Sequence, residues 1–321
     1  MTRRHFTAPG SNRRRILLYA PLYLSNYCLN HCVYCGFRQP RDVPRRHLDL
    51  DEAVGQAEIL CRRGFRHILL VAGDDPRLTT PEYYAGLADA LAERRVAPAV
   101  EIAPQSTASY AALAAAGVCG VTLYQETYNE GLYCLYHPCG SKRSFDWRLE
   151  GLERAAEAGM QRLGLGILLG LADPREDMAA MLRHAGYLRN RFPDCTLAFS
   201  LPRIHQAPEG FTPPYAVDDE TFIRLYCVLR IAFPRAELVL STREPAGLRN
   251  RLARICITQM SAGSSTAPGG YDTRNGPSSG EQFPVCDRRR PDEVAGCLDA
   301  AGLEVVWNVP DGSKRKSRHE P

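Results

Sequence analysis

The sequence predicts an α/β protein, and within that class a (β/α)8 barrel of the triosephosphate isomerase type. Short apolar runs rich in β-branched residues alternate with longer segments that have helical spacing, which is typical of repeated βα units around a parallel sheet. Eight such runs occur along the 321 residues. Eight repeats favour a closed barrel over an open doubly wound sheet, although the order of the strands cannot be deduced from sequence.

The predicted strands and helices follow in order along the chain. The strands are expected at residues 16–24, 67–73, 99–103, 118–125, 162–169, 195–201, 237–242 and 255–260. The helices are expected at residues 49–63, 81–94, 106–116, 145–158, 175–191, 218–232 and 246–252. Several of these helices open with Ser, Thr or Asp near the first turn, as helix N-termini do.

The C-terminal part predicts a short extension of the barrel. Residues 261–282 are rich in Gly, Ser and Pro and predict a long loop, followed by a helix at 291–301 and a strand at 304–307. We expect three parts: a basic N-terminal segment at 1–15, one barrel domain at 16–307, and a disordered basic tail at 308–321.

Composition places the chain among ordinary globular proteins, with 45% hydrophobic and 24% charged residues. The net charge of +4 comes largely from the two ends, which we interpret as solvated tails, so no nucleic-acid partner is expected. No apolar run approaches the roughly 18 residues of a membrane span, and no secretory signal opens the chain. These observations predict a cytoplasmic protein with no membrane partner, with an Arg-rich transit peptide as the alternative for the N-terminus.

Twelve cysteines are scattered along the chain, which does not resemble the disulfide framework of a small secreted domain. Five of them have apolar neighbours and are predicted to pack in the core as small hydrophobes: Cys61, Cys119, Cys195, Cys227 and Cys256. Cys134 and Cys139 lie five residues apart on one loop but do not complete a second metal site, and Cys286 and Cys297 are isolated, so no metal role is expected for these four.

Three further cysteines, Cys28, Cys32 and Cys35, lie within eight residues directly after the first predicted strand. Three thiolates can bind three corners of a [4Fe-4S] cluster and leave the fourth iron open. A zinc site is the alternative, with His31 or His67 as the fourth ligand. The position of the triplet favours the cluster, because barrel active sites lie on the loops that follow strands.

The CxxxCxxC spacing resembles that of the radical S-adenosylmethionine (SAM) superfamily, in which the open iron binds SAM. The resemblance implies that Tyr34 packs against the adenine. It also implies that Gly73 and Asp74, in a segment resembling the superfamily's Gly-Gly-Glu, receive the amino group of SAM. A surface turn is the alternative for this segment, because Asp stands where the family has Glu.

The residues around the cysteine triplet, together with later motifs, narrow the resemblance to one group within the superfamily. Seven stretches of the chain resemble the radical SAM aromatic amino acid lyases. They are APLYLSNYC at 20–28, CVYCGF at 32–37, YQETY at 124–128, FDWRL at 145–149, SLPR at 200–203, STRE at 241–244 and SAGSS at 261–265. This group includes the 2-iminoacetate synthase ThiH, the hydrogenase maturase HydG and the tryptophan enzyme NosL. The resemblance extends over about residues 16–307.

What the resemblance implies is a lyase reaction. A 5'-deoxyadenosyl radical removes hydrogen from the amino group of an aromatic amino acid, and a carbon–carbon bond then breaks. With tyrosine, the Cα–Cβ bond breaks to give 2-iminoacetate and p-cresol. Two alternatives remain open: a NosL-type tryptophan enzyme of a natural-product pathway, and a non-catalytic paralogue that binds SAM and the cluster.

The resemblance also assigns site residues. Arg243 would bind the carboxylate of the amino acid, near Tyr23 and Ser261, while Glu126 and Arg148 would bind the ribose and carboxylate of SAM. The alternative for Arg243 is an ion pair with Glu244. The alternative for Arg148 is a solvated helix face.

No second set of cysteine ligands like that of HydG is present, so a single SAM-ligated [4Fe-4S] cluster is expected. The expected partners are the aromatic amino acid, a reductant such as flavodoxin or ferredoxin, and a biosynthetic protein that receives 2-iminoacetate.

Overall fold

The computed structural model describes residues 13–208, 210–272 and 280–309. Eight parallel strands form the barrel: β1 Arg15–Ser25, β2 His67–Ala72, β3 Ala97–Glu101, β4 Val121–Thr122, β5 Arg162–Gly166, β6 Thr196–Ser200, β7 Glu237–Leu240 and β8 Gln259–Ser261. Each strand pairs with the next, and β1 pairs with both β2 and β8. The barrel is therefore closed, which confirms the predicted fold class.

The described residues form ten α-helices, which lie outside the barrel or on its loops. They are α1 Leu50–Arg62, α2 Pro81–Ala92, α3 Thr107–Ala115, α4 Glu130–Tyr136, α5 Phe145–Leu149, α6 Gly151–Glu157, α7 Pro174–Arg191, α8 Asp219–Ala232, α9 Ala246–Ile255 and α10 Pro291–Ala300. The N-cap residues Asp49, Thr80, Ser106 and Asp218 each accept a backbone N–H three residues on, as the sequence predicts. Within the described residues, no helix combines the length and the apolar character that crossing a bilayer requires.

A ninth strand, β9 Glu304–Val306, adds to the start of β1. Leu17 pairs with Gln259 of β8 and with Val306 of β9, so β9 lies on the edge of β1 that β2 occupies further along. Arg13 donates to the carboxylate of Asp299 at 2.5 Å and to the carbonyl of Leu303 at 2.5 Å. The end of the predicted basic segment is thus bound to the C-terminal extension rather than solvated. Residues 1–12 and the predicted tail from 310 lie outside the described residues.

Several predicted boundaries were wrong. The helix expected at 145–158 is interrupted at Glu150 and forms α5 and α6. The strand expected at 255–260 begins only at Gln259, because helix α9 continues to Ile255. Helix α4 was not predicted; Asn129 caps its N-terminus by accepting from the backbone N–H of Leu132 at 3.0 Å.

The fourth strand is much shorter than the predicted range of 118–125. Regular pairing stops after Thr122, although the backbone N–H groups of Leu123 and Gln125 still donate to carbonyls of β5 at 2.9 and 3.0 Å. Glu126 then adopts a left-handed backbone with φ 72°. This conformation is uncommon for a residue with a side chain, and it turns the chain across the top of the barrel.

The barrel interior is a small cluster distinct from the main core between strands and helices. Tyr19, Tyr23, Leu69, Val71 and Ala198 belong to it. Cys28 and Cys35 pack against this inner cluster as partly buried side chains. The fold therefore places the cysteine triplet directly over the mouth of the barrel.

Candidate active site

The cysteine loop begins directly after β1 and is held in a compact turn. The backbone N–H of Cys35 donates to the carbonyl of Cys32 at 3.1 Å. Polar hydrogens point at the sulfurs, since the N–H of Phe37 lies 3.4 Å from Sγ of Cys35 and Nδ2 of Asn30 lies 3.7 Å from Sγ of Cys28. None of the three cysteines forms a disulfide. Donors to sulfur suit thiolates that bind iron.

Burial raises the pKa of Cys32 to about 12, while the charge of Lys142 lowers it. A buried thiol of this kind becomes a thiolate when it binds a metal cation. In the described residues, no three His, Cys, Asp or Glu side chains are arranged to hold a single metal ion. A [4Fe-4S] cluster does not need three ligands around one ion, because each cysteine binds a different iron.

The end of β2 packs tightly against the cysteine loop. A Cβ on Gly73 would lie 2.2 Å from the carbonyl oxygen of Tyr27, so only glycine fits. The N–H of Leu29 donates to the carbonyl of Asp74 at 2.9 Å. The Asp74 carboxylate accepts from Nδ2 of Asn30 at 2.8 Å and from Oγ of Ser141. The segment at 72–75 therefore supports the cysteine loop and is not a free surface turn.

Tyr34 is fixed by a histidine that follows helix α4. Its hydroxyl lies 2.7 Å from Nε2 of His137, and Nδ1 of His137 lies 2.7 Å from the carbonyl of Tyr133. Burial lowers the pKa of His137 to about 2, so the imidazole is neutral. A carbonyl can only accept, so Nδ1 carries the proton and the Tyr34 hydroxyl donates to Nε2.

Glu126 lies at the centre of a buried charge cluster. Its Oε1 atom is 2.6 Å from Nζ of Lys142 and 3.4 Å from Nη2 of Arg148. Arg148 also donates from Nε to the carbonyl of Tyr124 at 2.6 Å. Arg148 is only 8% exposed, so the alternative of a solvated helix face is wrong.

Arg243 follows β7 and points toward a different set of groups. Its guanidinium stacks on the ring of Phe283, 3.4 Å from the ring centroid. The neighbouring Glu244 is paired instead with Arg203 at 3.0 Å and His205 at 3.1 Å. The alternative of an Arg243–Glu244 ion pair is therefore wrong. In the part of the chain that the structure describes, Arg243 forms no ion pair, and burial lowers its pKa.

Tyr23 and Ser261 lie close to Arg243 but are fixed by other residues. The Tyr23 hydroxyl donates to Oε1 of Gln282 at 2.7 Å. The Ser261 hydroxyl accepts the backbone N–H of Thr242 at 3.0 Å. The first hydrogen bond joins β1 to the loop that carries Gln282, and the second joins β8 to the residues that follow β7.

One cavity at the mouth of the barrel joins these groups and opens to solvent. Cys35, Tyr34, Glu126 and Lys142 line it, and so do Tyr23, Arg243 and Ser261. Its apolar lining includes Leu69, Val71, Leu168, Ile204 and Phe283. A lining that combines charged and apolar side chains is that of a site for organic ligands with charged ends.

Comparison with known proteins identifies the family. Residues 22–185 match the Radical SAM superfamily, and residues 200–304 match the Biotin and Thiamin Synthesis associated domain. The 2-iminoacetate synthase of Escherichia coli strain K12 is 37% identical over 293 residues, which span 91% of this chain and 77% of that protein. The chain belongs to the radical SAM superfamily. It groups there with 2-iminoacetate synthase and HydG.

Two solved HydG structures share the fold of this radical SAM protein. The [FeFe]-hydrogenase maturase HydG from Carboxydothermus hydrogenoformans superposes with a TM-score of 0.85 at 36% identity, covering 94% of this chain and 70% of that one. A second HydG structure gives the same TM-score at 35% identity, covering 91% of this chain and 65% of that one. Membership of the superfamily implies a [4Fe-4S] cluster and SAM.

The sequence did not identify several residues of this radical SAM site. Lys142 and His137 were missed, and so were Asn30, Glu101 and Gln282. The first two lie in a polar loop segment that has no motif of its own. Gln282 follows a Gly/Ser-rich loop, and Glu101 ends a strand that the sequence marked only as apolar. The strand predicted at 99–103 has Glu101 in its middle, so its position at the C-terminal end of β3 became visible only in the structure.

Proposed function

We propose that this chain cleaves the Cα–Cβ bond of L-tyrosine and releases 2-iminoacetate and p-cresol. The observation that carries the proposal is that one cavity is lined by Tyr34 and Cys35 of the cysteine loop, by Glu126, and by Arg243, which forms no ion pair with a described residue. The similarity to a protein named 2-iminoacetate synthase supports the same reaction.

The residues present fit the group that the superfamily implies. Cys28, Cys32 and Cys35 would bind the [4Fe-4S] cluster, and donors already face the sulfurs of Cys28 and Cys35. Residues around the loop would hold SAM: Tyr34, Gly73, Asp74, Glu126 and Arg148. When bound, the cluster and SAM supply a 5'-deoxyadenosyl radical that takes a hydrogen atom from the amino group of the substrate.

The protein must then hold the amino acid so that its nitrogen faces the reacting carbon. Arg243 can bind the substrate carboxylate with two parallel hydrogen bonds, which fixes both position and direction. Stacking on Phe283 holds the guanidinium plane in place. Tyr23 and Ser261 lie on the same cavity wall and would contact the amino acid there.

The partners follow from the chemistry. A low-potential one-electron donor of the flavodoxin or ferredoxin class would reduce the cluster. The product, 2-iminoacetate, is an imine that hydrolyses in water, so a biosynthetic partner that takes it up directly would limit the loss.

The test is anaerobic turnover of the reconstituted enzyme with SAM, dithionite and tyrosine. We expect p-cresol and 5'-deoxyadenosine in equal amounts, and glyoxylate from hydrolysis of the imine. The Cys32→Ala variant should produce neither, whereas Cys286→Ala, at an exposed cysteine, should match the wild type.

Two outcomes would overturn the proposal. Product formation with tryptophan but not with tyrosine would show a tryptophan enzyme. Cluster-loaded protein that binds SAM but makes no deoxyadenosine with any aromatic amino acid would show a paralogue without turnover.

A further inference from the structure

Two carboxylates line the active-site cavity, and they have different environments. Glu126 is bound to Lys142 and Arg148. Glu101, the last residue of β3, forms no ion pair with any described residue, yet its side chain reaches the cavity. Its position at the C-terminal end of a barrel strand is typical of catalytic residues in this fold.

Glu101 and Arg243 place opposite charges in the same cavity. Their attraction lowers the pKa of Glu101, and the hydrogen bond with Tyr124 does so too. Burial and the charge of Glu126 act in the other direction and are stronger, which raises the pKa to about 7. The groups that influence this carboxylate come from β1, β4 and its continuation, α5 and the end of β7: Tyr19, Tyr23, Tyr124, Glu126, Arg148 and Arg243.

An amino acid enters such a site as a zwitterion with one negative and one positive group. Arg243 matches the carboxylate, and Glu101 is the lining carboxylate that remains for the ammonium group. Burial raises the pKa of Tyr19 to about 12 and raises that of Tyr23 and Tyr124 as well. The nearby tyrosines therefore stay neutral phenols, which do not accept the proton of an ammonium group.

We propose that Glu101 binds the ammonium group of the substrate, accepts its proton before the hydrogen atom is removed, and returns that proton to the aromatic product. This inference rests on the proposed tyrosine cleavage. It adds a catalytic residue that contacts the substrate, and it gives a role to a carboxylate that forms no ion pair among the described residues.

The proton and electron balance closes with Glu101 unchanged at the end. The ammonium group gives one proton to the carboxylate and becomes a neutral amine. The amine loses one hydrogen atom to the deoxyadenosyl carbon, and the Cα–Cβ bond then breaks to give HN=CH–COO⁻ and a 4-hydroxybenzyl radical. This radical takes one electron from the flavodoxin- or ferredoxin-class donor and one proton from Glu101, which forms p-cresol.

The first test compares pH profiles of p-cresol formation by the wild type and Glu101→Gln. General-base groups contribute typically about 10²–10⁴-fold, so we expect kcat/KM for tyrosine to fall at least 100-fold at pH 7.5. The loss should shrink as the pH rises toward 9, because free amine becomes more abundant in solution. Glu101→Asp should restore part of the activity.

A second test does not depend on turnover. Tyrosine is titrated calorimetrically into reconstituted, SAM-loaded but unreduced enzyme at pH 6.5, in buffers with different ionisation enthalpies. Binding of an ammonium group beside Glu101 favours its ionised form, so the wild type should release protons to the buffer. Glu101→Gln should release none while keeping its cluster content.

The outcomes separate this inference from the proposed function. If the wild type makes no p-cresol, the tyrosine cleavage itself is wrong. If the wild type makes p-cresol but Glu101→Gln has the same pH profile and the same proton release, the role of Glu101 is wrong. A loss that is equal at every pH would indicate a structural role and would also overturn the inference.

Discussion

Nζ of Lys142 lies 2.6 Å from Oε1 of Glu126, a residue whose left-handed backbone turns the chain over the barrel mouth. Both side chains are largely buried, with 14% and 9% exposure. Lys142 comes from a short 3-10 helix, Ser141–Arg143, whereas Glu126 follows β4. The ion pair therefore joins two loops that both line the active-site cavity.

Replacing Lys142 by Met should leave the Glu126 carboxylate buried with only Arg148 nearby. Removing one partner of a buried ion pair costs about 3–5 kcal/mol, so we expect a clear fall in the thermal unfolding temperature of the cluster-loaded protein. The double variant with Glu126→Gln should recover part of the loss, because no charge is then left unpaired. Equal stability of Lys142→Met and wild type would show that the pair contributes nothing.

Replacing Arg243 by Ala should weaken the use of tyrosine more than the cleavage of SAM. The lost charge-assisted hydrogen bonds contribute about 1.5–3 kcal/mol, so KM for tyrosine should rise roughly 10- to 100-fold. Abortive formation of deoxyadenosine without tyrosine should persist. Arg251, an exposed arginine paired with Glu220 on the neighbouring helix, provides the control variant Arg251→Ala. An unchanged KM would argue against the carboxylate clamp.

Replacing Gly73 by Ala should disturb the cysteine loop, because the added Cβ would meet the carbonyl of Tyr27 at 2.2 Å and Cβ of Cys28 at 3.2 Å. We expect less iron per protein and weaker cluster absorbance after reconstitution. Gly186→Ala in helix α7 is the matched control, since no atom lies within 4 Å of its added Cβ. Normal iron content in both variants would contradict the tight packing at Gly73.

Replacing His67 by Gln should reduce the amount by which the free energy of unfolding falls as the solution becomes mildly acidic. Burial lowers the pKa of His67 to about 4 from its ordinary 6.5. Between these values the unfolded chain binds a proton that the folded one does not, so the free energy of unfolding falls as the pH falls. The slope is about 1.4 kcal/mol per pH unit. Thermal unfolding measured from pH 7.5 to 5.5 should show a smaller decrease in the variant than in the wild type. An identical decrease would show that the pKa of His67 is the same in the folded and unfolded states.

The repeated βα units could be predicted because the signals are local. An apolar run of five to nine residues, or an N-cap such as Asp49 or Ser106, depends on its own neighbours in sequence. The same holds for the cysteine triplet, since Cys28, Cys32 and Cys35 share one short loop. The end of β4 and the start of β8 were misplaced because tertiary contacts, such as those around Glu126, override local preference.

The sequence by itself was enough to predict the fold class, the cysteine loop and the family to which the chain belongs. Only the tertiary structure decided which polar groups meet at the barrel mouth. Tyr34 meets His137 across 103 positions, and Tyr23 meets Gln282 across 259. It also distinguished Glu244, which pairs with Arg203, from Glu101, which forms no ion pair within the part of the chain that the structure describes. The physical reason is that barrel closure brings the ends of all eight strands together, and a residue's charge state depends on those distant neighbours.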